Sequence, residues 1–257
     1  MTTMDRQNRS KINKLLRNWP KDIIVVSSWL EKQGVYRQLA ETYVKSGWIE
    51  RIGKGAFRRA DGEVKWSGGV YTLQSQLNMS VHPAGKTALQ LLGNVHYIPA
   101  SLKQTKIVLF GVKGEKLPQW FKGYNWGVSI RYVMTGLFGA EVDLGLTSYD
   151  FGNYEIKISS AEKAAMELCY DVPLRESFDE ASHIIAGLTT LRPRLVQELL
   201  EKCNSVKTKR LFMHLAEKHN LDWVEKLDLK KVDFGKGKRS LCRNGYYDGK
   251  YKIVVPK

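Results

Sequence analysis

The stretch from Val25 to Arg59 limits the fold more tightly than any other, because its helix, turn and strand signals come in one fixed order. Ser27-Ser28-Trp29-Leu30-Glu31-Lys32-Gln33 reads as a short helix with Ser27 as its N-cap and Gly34 as its stop. A serine hydroxyl satisfies a free backbone N–H there, and glycine takes the left-handed conformation without steric cost. From Tyr36 to Ser46, Leu39, Ala40, Tyr43 and Val44 make one apolar stripe, while Gln38, Glu41, Thr42 and Lys45 fall on the opposite face at i, i+3, i+4 and i+7. Gly47 ends this second helix. Trp48 to Ile52 and Ala56 to Arg59 then read as two short strands around Gly53-Lys54-Gly55. In sequence, these elements spell a winged helix-turn-helix. Arg37, Gln38, Thr42 and Lys45 would reach base edges from the second helix, and Arg51, Lys54, Arg58 and Arg59 on the hairpin would meet phosphate. Double-stranded DNA is the expected partner; a protein-interaction module built from the same elements is the alternative.

Charge agrees with that reading through its placement. The net charge is +15, divided as +8 over residues 1–60, −1 over 61–200 and +8 over 201–257. Two basic ends around a neutral middle raise affinity for polyanions, and each neutralised phosphate steepens the log-log salt dependence by roughly 0.9. Lysine-rich solvated faces also serve solubility, which is the plainer account. At 257 residues the chain is long enough for one large or two ordinary domains with their own cores. Its apolar runs fall well short of the ~20 residues that cross a bilayer, and the first residues lack a signal-peptide apolar segment, so a cytoplasmic location without membrane contact is expected. Cys169, Cys203 and Cys242 are odd in number and widely spaced, and read as ordinary thiols.

The remaining periodicity predicts an α+β protein: an N-terminal winged helix-turn-helix domain over residues 1–94, then a mixed α/β, largely helical C-terminal domain over 95–257. Ile12, Leu15, Leu16 and Trp19 form the apolar face of a first helix that Pro20 stops. Trp66, Val70, Leu73 and Leu77 recur at helical spacing, and Ala84 to Leu92 reads as a helix closed by Gly93. Lys106 to Phe110, Val128 to Met134 and Tyr154 to Ile158 carry strand-forming residues. Helices are predicted from Ser160 to Tyr170, Asp179 to Gly187, Arg192 to Cys203 and Val206 to Lys218, with a terminal hairpin across Asp248-Gly249. Lys207, Lys209 and Arg210, with Lys236, Lys238 and Arg239 in the tail, are expected to form a second basic face. The competing reading of the Val206 helix is an amphipathic core helix with a solvated side.

Three chemical signals need weighing. Gly85-Lys86-Thr87 matches the end of a phosphate-binding loop, but position 80 is serine and the strand that should precede the loop is missing, so no nucleotide site is expected. His82, His96, His183, His214 and His219 make no metal spacing, and neither metal nor cofactor is expected. Asp143 with Glu155 and Lys157 supplies the parts of a Mg²⁺-dependent DNA nuclease, against the plainer account of an exposed Lys157 ion pair and a turn-capping Asp143. The chain is accordingly read as no enzyme, with nuclease or non-DNA-binding scaffold as the alternatives.

Several blocks in order carry a family likeness. They are Leu15-Leu16-Arg17-Asn18-Trp19-Pro20; the run from Ser46 to Phe57; Ser80-Val81-His82 with Gly85-Lys86-Thr87-Ala88-Leu89; Ser159-Ser160-Ala161-Glu162-Lys163-Ala164; Val206 to Phe212; and Gly235-Lys236-Gly237-Lys238-Arg239. Over nearly its whole length the chain resembles the AbiEi family, antitoxins of type IV toxin-antitoxin systems that arose as phage abortive-infection modules. The resemblance implies a winged-helix domain that binds inverted repeats in the promoter of its own operon and represses it. It further implies a C-terminal domain that counteracts a nucleotidyltransferase-like toxin without forming a stable complex with it. A monomer in solution that binds cooperatively on DNA is expected.

Overall fold

The computed structural model describes residues 3–94, 106–139 and 143–257. The chain opens with helix α1 (Thr3–Asn18), strand β1 (Val25–Val26), helices α2 (Ser27–Lys32) and α3 (Arg37–Lys45), the hairpin β2 (Ile49–Gly53) and β3 (Ala56–Arg59), and α4 (Trp66–Ser75). Next come β4 (His82–Pro83), α5 (Gly85–Leu91), β5 (Lys106–Val112), α6 (Gln119–Gly123), β6 (Ser129–Thr135), β7 (Leu146–Asp150) and β8 (Glu155–Ser159). Helices α7 (Ala161–Asp171), α8 (Phe178–Ala186), α9 (Pro193–Lys202) and α10 (Val206–Lys218) follow, and β9 (Arg239–Ser240), β10 (Tyr246–Asp248) and β11 (Ile253–Val255) close the chain. These elements group into two compact units. The first holds Met1–Val81, Glu115–Ser129 and Asp150–Ile156; the second holds His82–Gly114, Ile130–Tyr149 and Lys157–Lys257. The first unit therefore gathers two segments that lie far beyond residue 94, a discontinuity that periodicity along the chain does not register.

In the first unit, Ile12, Leu15 and Trp19 of the α1 segment are buried, and the Trp19 indole N–H donates to the Ile23 carbonyl at 3.1 Å. Strand β1 has no signal in the sequence, because two valines give no period. It pairs antiparallel with β3, Val25 opposite Phe57, making a sheet of order β1-β3-β2. On the outer edge of β1 the Gln76 side chain accepts from the Val26 N–H at 3.0 Å and donates to the Ile24 carbonyl, satisfying backbone groups that would otherwise invite another strand. Ser27 is not the N-cap of α2: Val26 holds that position and no side chain caps it. Gly47 stops α3 with φ +71° as expected. At Gly53 a Cβ would lie 2.7 Å from that of Trp120, so only glycine lets α6 approach the hairpin this closely.

The second unit is built around α7 and α10, which are buried on nearly every side: Ala164, Ala165, Met166, Leu168 and Cys169 on one, Leu211, Phe212, Met213, Leu215 and Ala216 on the other. Sequence expectation placed a solvated face on α10, and the structure overturns it, since Thr208 through Ala216 are all buried. Ser160 caps α7, its hydroxyl accepting from the Lys163 N–H. The terminal hairpin forms as expected, with Tyr246 opposite Val255 and Asp248 opposite Ile253. No helix among the described residues is long and apolar enough to cross a membrane.

Candidate nucleic-acid interface

Helix α3 buries Leu39, Ala40 and Tyr43 and turns Arg37, Gln38, Thr42 and Lys45 to solvent. The apolar stripe fixes this rotation, because turning α3 about its axis would expose three core side chains. Among the described residues no carboxylate pairs with Arg37, Lys45 or Lys54, so their charge is available to a ligand. The Thr42 hydroxyl donates to the Gln38 carbonyl at 3.0 Å, the usual resting position of a helical threonine. Two exposed aromatic side chains flank the helix, Tyr36 at 57% and Trp48 at 47%. In the sequence both stand at element boundaries, and the signal that marks them is apolar bulk at positions outside the buried stripe.

The hairpin cations are not equivalent. Lys54 is exposed at the turn, where Gly55 accepts from the Ser27 N–H through its carbonyl at 2.9 Å. Arg51 reaches across to Glu41 of α3 at 2.5 Å and lies over the Phe57 ring, 4.9 Å from its centre. This contact ties the hairpin to the helix. Between them lies a cleft of about 280 Å³ lined by Arg37, Glu41, Arg51 and Lys54. Arg58 donates to Glu50 and to the Gly62 carbonyl. Arg59 is buried, contrary to the exposed position its place in the strand suggested. It donates to the Leu16 and Trp19 carbonyls, both at 2.9 Å, and forks onto Asp61. The first two bonds satisfy carbonyls at and just beyond the end of α1. The Arg59 guanidinium, with Lys21, holds the Asp61 carboxyl down at about 2 despite some burial.

In the second unit the expected basic face divides. Lys236, Lys238 and Arg239 are exposed, whereas Lys209 and Arg210 are buried and the Lys207 ammonium is enclosed. Lys207 donates to the Cys169, Tyr170 and Val172 carbonyls at 2.6–2.8 Å, capping the C-terminus of α7. Arg210 donates to the Phe234, Gly235, Gly237 and Lys252 carbonyls, pinning the basic turn and the terminal hairpin. A sequence shows that a cation recurs on a helix, but not that backbone carbonyls from distant loops will converge on it.

Residues of the three chemical signals have structural partners of their own. The Gly85 N–H is taken by Glu167 at 3.0 Å, Lys86 pairs with Glu180, and the Thr87 hydroxyl accepts from the Val108 N–H, so the phosphate-loop pattern is a structural corner. Asp143 and Lys157 form an exposed ion pair at 2.8 Å, and among the described residues no three His, Cys, Asp or Glu side chains gather as a metal site. His82 contacts Glu167, His214 bonds Asp248 and His219 bonds Ser182; His96 lies outside the described residues. Cys169, Cys203 and Cys242 are free thiols, and burial pushes Cys169 up to about 12 and Cys203 to about 11.

A helix-turn-helix whose second helix presents a polar, uncompensated face, continued into a larger helical unit, defines an α+β helix-turn-helix protein. The particular family follows from comparison. Residues 8–100 match the family described as transcriptional regulator, AbiEi antitoxin N-terminal domain. Residues 104–256 match the family described as transcriptional regulator, AbiEi antitoxin, type IV TA system. The chain belongs to the AbiEi antitoxin family. No curated protein matches it. Among solved structures it is similar to the RV2827C protein from Mycobacterium tuberculosis, at 15% identity and a TM-score of 0.60 over 96% of this chain and 91% of that one. At that identity the likeness speaks to fold alone.

Proposed function

We propose that the protein represses its own operon by docking α3 in the major groove of inverted repeats. Its second unit counteracts a nucleotidyltransferase-like toxin without holding it in a stable complex. The observation that carries the reading is the exposed face of α3, where Arg37, Gln38, Thr42 and Lys45 stand free of carboxylate partners. Amide and hydroxyl side chains on such a helix read base edges, and the cations beside them hold phosphate. Lys54 is the hairpin's phosphate contact, while Arg51 orients the hairpin through Glu41. Arg58 and Arg59 support the fold in this reading, because their guanidinium groups already have partners.

A gel-shift titration tests it, with the operon's upstream region against random duplex of equal length, and a Gln38→Ala, Thr42→Ala, Lys45→Ala variant alongside. A preference of roughly a thousandfold for the promoter, lost in the variant, is expected for a sequence-specific repressor. Equal, salt-sensitive binding to both DNAs would remove the repressor claim. For the antitoxin role, co-expression with the neighbouring toxin gene should restore growth while the two proteins elute separately; failure to restore growth would sink that part alone.

A further inference from the structure

Strand β10 forms the edge of the terminal sheet, whose order is β10-β11-β9, and it carries two consecutive tyrosines. Tyr246 is 61% exposed and Tyr247 46%, the two exposed aromatic rings among the described residues of the second unit. They line an open hollow of about 610 Å³ together with His214, Lys218, Pro256 and Lys257. That volume lies within the range of sites that hold small organic groups. The Lys238 ammonium already rests on the Tyr247 ring, 5.0 Å from its centre, so this face receives a cation from one side.

The surroundings are strongly positive. From Asp233 to Lys257 the chain carries seven Lys and Arg against two Asp. Both aspartates are occupied: Asp233 accepts from the Gly235 N–H, and Asp248 accepts from His214 and from the N–H groups of Lys250 and Tyr251. Of the seven cations, Lys250 pairs with Glu217, while Lys236, Arg239, Arg243, Lys252 and Lys257 are exposed without a carboxylate partner among the described residues. Exposed rings bordered by uncompensated cations match a polyanion that brings its own flat apolar faces. A duplex hides those faces inside its stack, and a protein partner would need a concentration of acidic side chains to offset the cations. An unpaired nucleic-acid strand offers both phosphate and free π-faces.

We propose that this edge of the sheet binds unpaired nucleotides of a single-stranded nucleic acid, one base stacking on Tyr246 in the hollow and a neighbouring base on Tyr247 across the edge strand, since consecutive strand residues face opposite ways, with the phosphates lying along Lys218, Lys238, Arg239 and Lys257. The site uses no residue of α3 and stands whether or not the repressor reading does.

The test uses the full chain carrying the three α3 alanines, so that binding by that helix does not mask the signal. Fluorescence anisotropy is measured with a labelled oligouridine and an oligodeoxyuridine of roughly 12 nucleotides, and with a duplex of equal length, at two salt concentrations. Both single strands should bind more tightly than the duplex. Tyr246→Ala with Tyr247→Ala should weaken single-strand binding by about tenfold or more, whereas the Phe pair keeps it. A Leu pair, which retains apolar bulk without a π-face, should behave as the alanines do and serves if the alanine protein fails to fold. Lys238→Ala with Arg239→Ala should reduce the salt slope by roughly 0.7 for each phosphate that those two side chains neutralise. Tighter binding of oligouridine assigns the strand to RNA, and equal binding assigns a site indifferent to the 2′-hydroxyl; both sustain the proposal. Equal or tighter binding of the duplex, or a leucine pair that binds like the tyrosines, would overturn it.

Discussion

At the scale of residues, cations that look alike in the sequence do different work. Arg59 and Lys54 lie five positions apart on one hairpin, yet Arg59 is buried against the end of α1 and Lys54 is exposed at the turn. Replacing Arg59 by Ala strands two carbonyls at the end of α1, while Asp61 keeps Lys21 at 3.1 Å, and should lower stability by about 2 kcal/mol, read as a fall in denaturant midpoint. The salt slope of DNA binding should stay unchanged, and a flatter slope would put Arg59 on phosphate after all. Glu162 gives a pH dependence. Burial alone would raise its carboxyl, but the Arg192 side chain and N–H bond its oxygens at 2.9–3.0 Å and hold it at about 2, below an ordinary 4.5. Because the folded value is the lower one, its stabilisation is complete above about pH 4.5 and disappears as pH falls towards 2. Stability measured across that window should fall less steeply in Glu162→Gln than in the parent; identical curves would assign the acid sensitivity elsewhere.

At the scale of elements, helix ends decide where charge goes. The C-terminus of α7 presents carbonyls that its own turns cannot satisfy, and the Lys207 ammonium meets three nearby. Lys207→Met keeps the aliphatic stem and removes the donor, so thermal unfolding should reveal a loss of about 2 kcal/mol with promoter affinity intact. Weakened DNA binding at undiminished stability would instead return Lys207 to the binding surface. Helix α3 shows the converse. Its termini are short of side-chain caps and its polar face has few internal partners, which leaves four side chains with hydrogen-bonding capacity for something outside the protein.

At the scale of the whole molecule, the buried core and the proposed recognition surface fall on different elements. Helices α7 and α10 lie inside the core of the second unit, whereas α3 is exposed along one side. Backbone amides of α7 and α10 should therefore exchange with solvent hydrogen orders of magnitude more slowly than those of α3 in the free protein. Comparable rates would mean that the second unit is less cooperative than its packing indicates. The sequence by itself determined the order of the helix-turn-helix, the rotation of α3 and the boundaries of α10, because apolar period and glycine stops act within a few residues of one another. It also showed the tail hairpin through Asp248-Gly249. Only the tertiary structure decided that β1 pairs with β3, that 115–129 and 150–156 join the first unit, that Lys209, Arg210 and Arg59 are buried, and that the Lys207 ammonium is enclosed by carbonyls. Those outcomes depend on groups brought together from distant parts of the chain, such as Arg59 meeting Leu16 and Trp19, or Lys207 meeting Cys169, Tyr170 and Val172. A periodicity read along the chain holds no record of such meetings, because a buried cation and an exposed one carry the same letter until the carbonyls that receive it are in place.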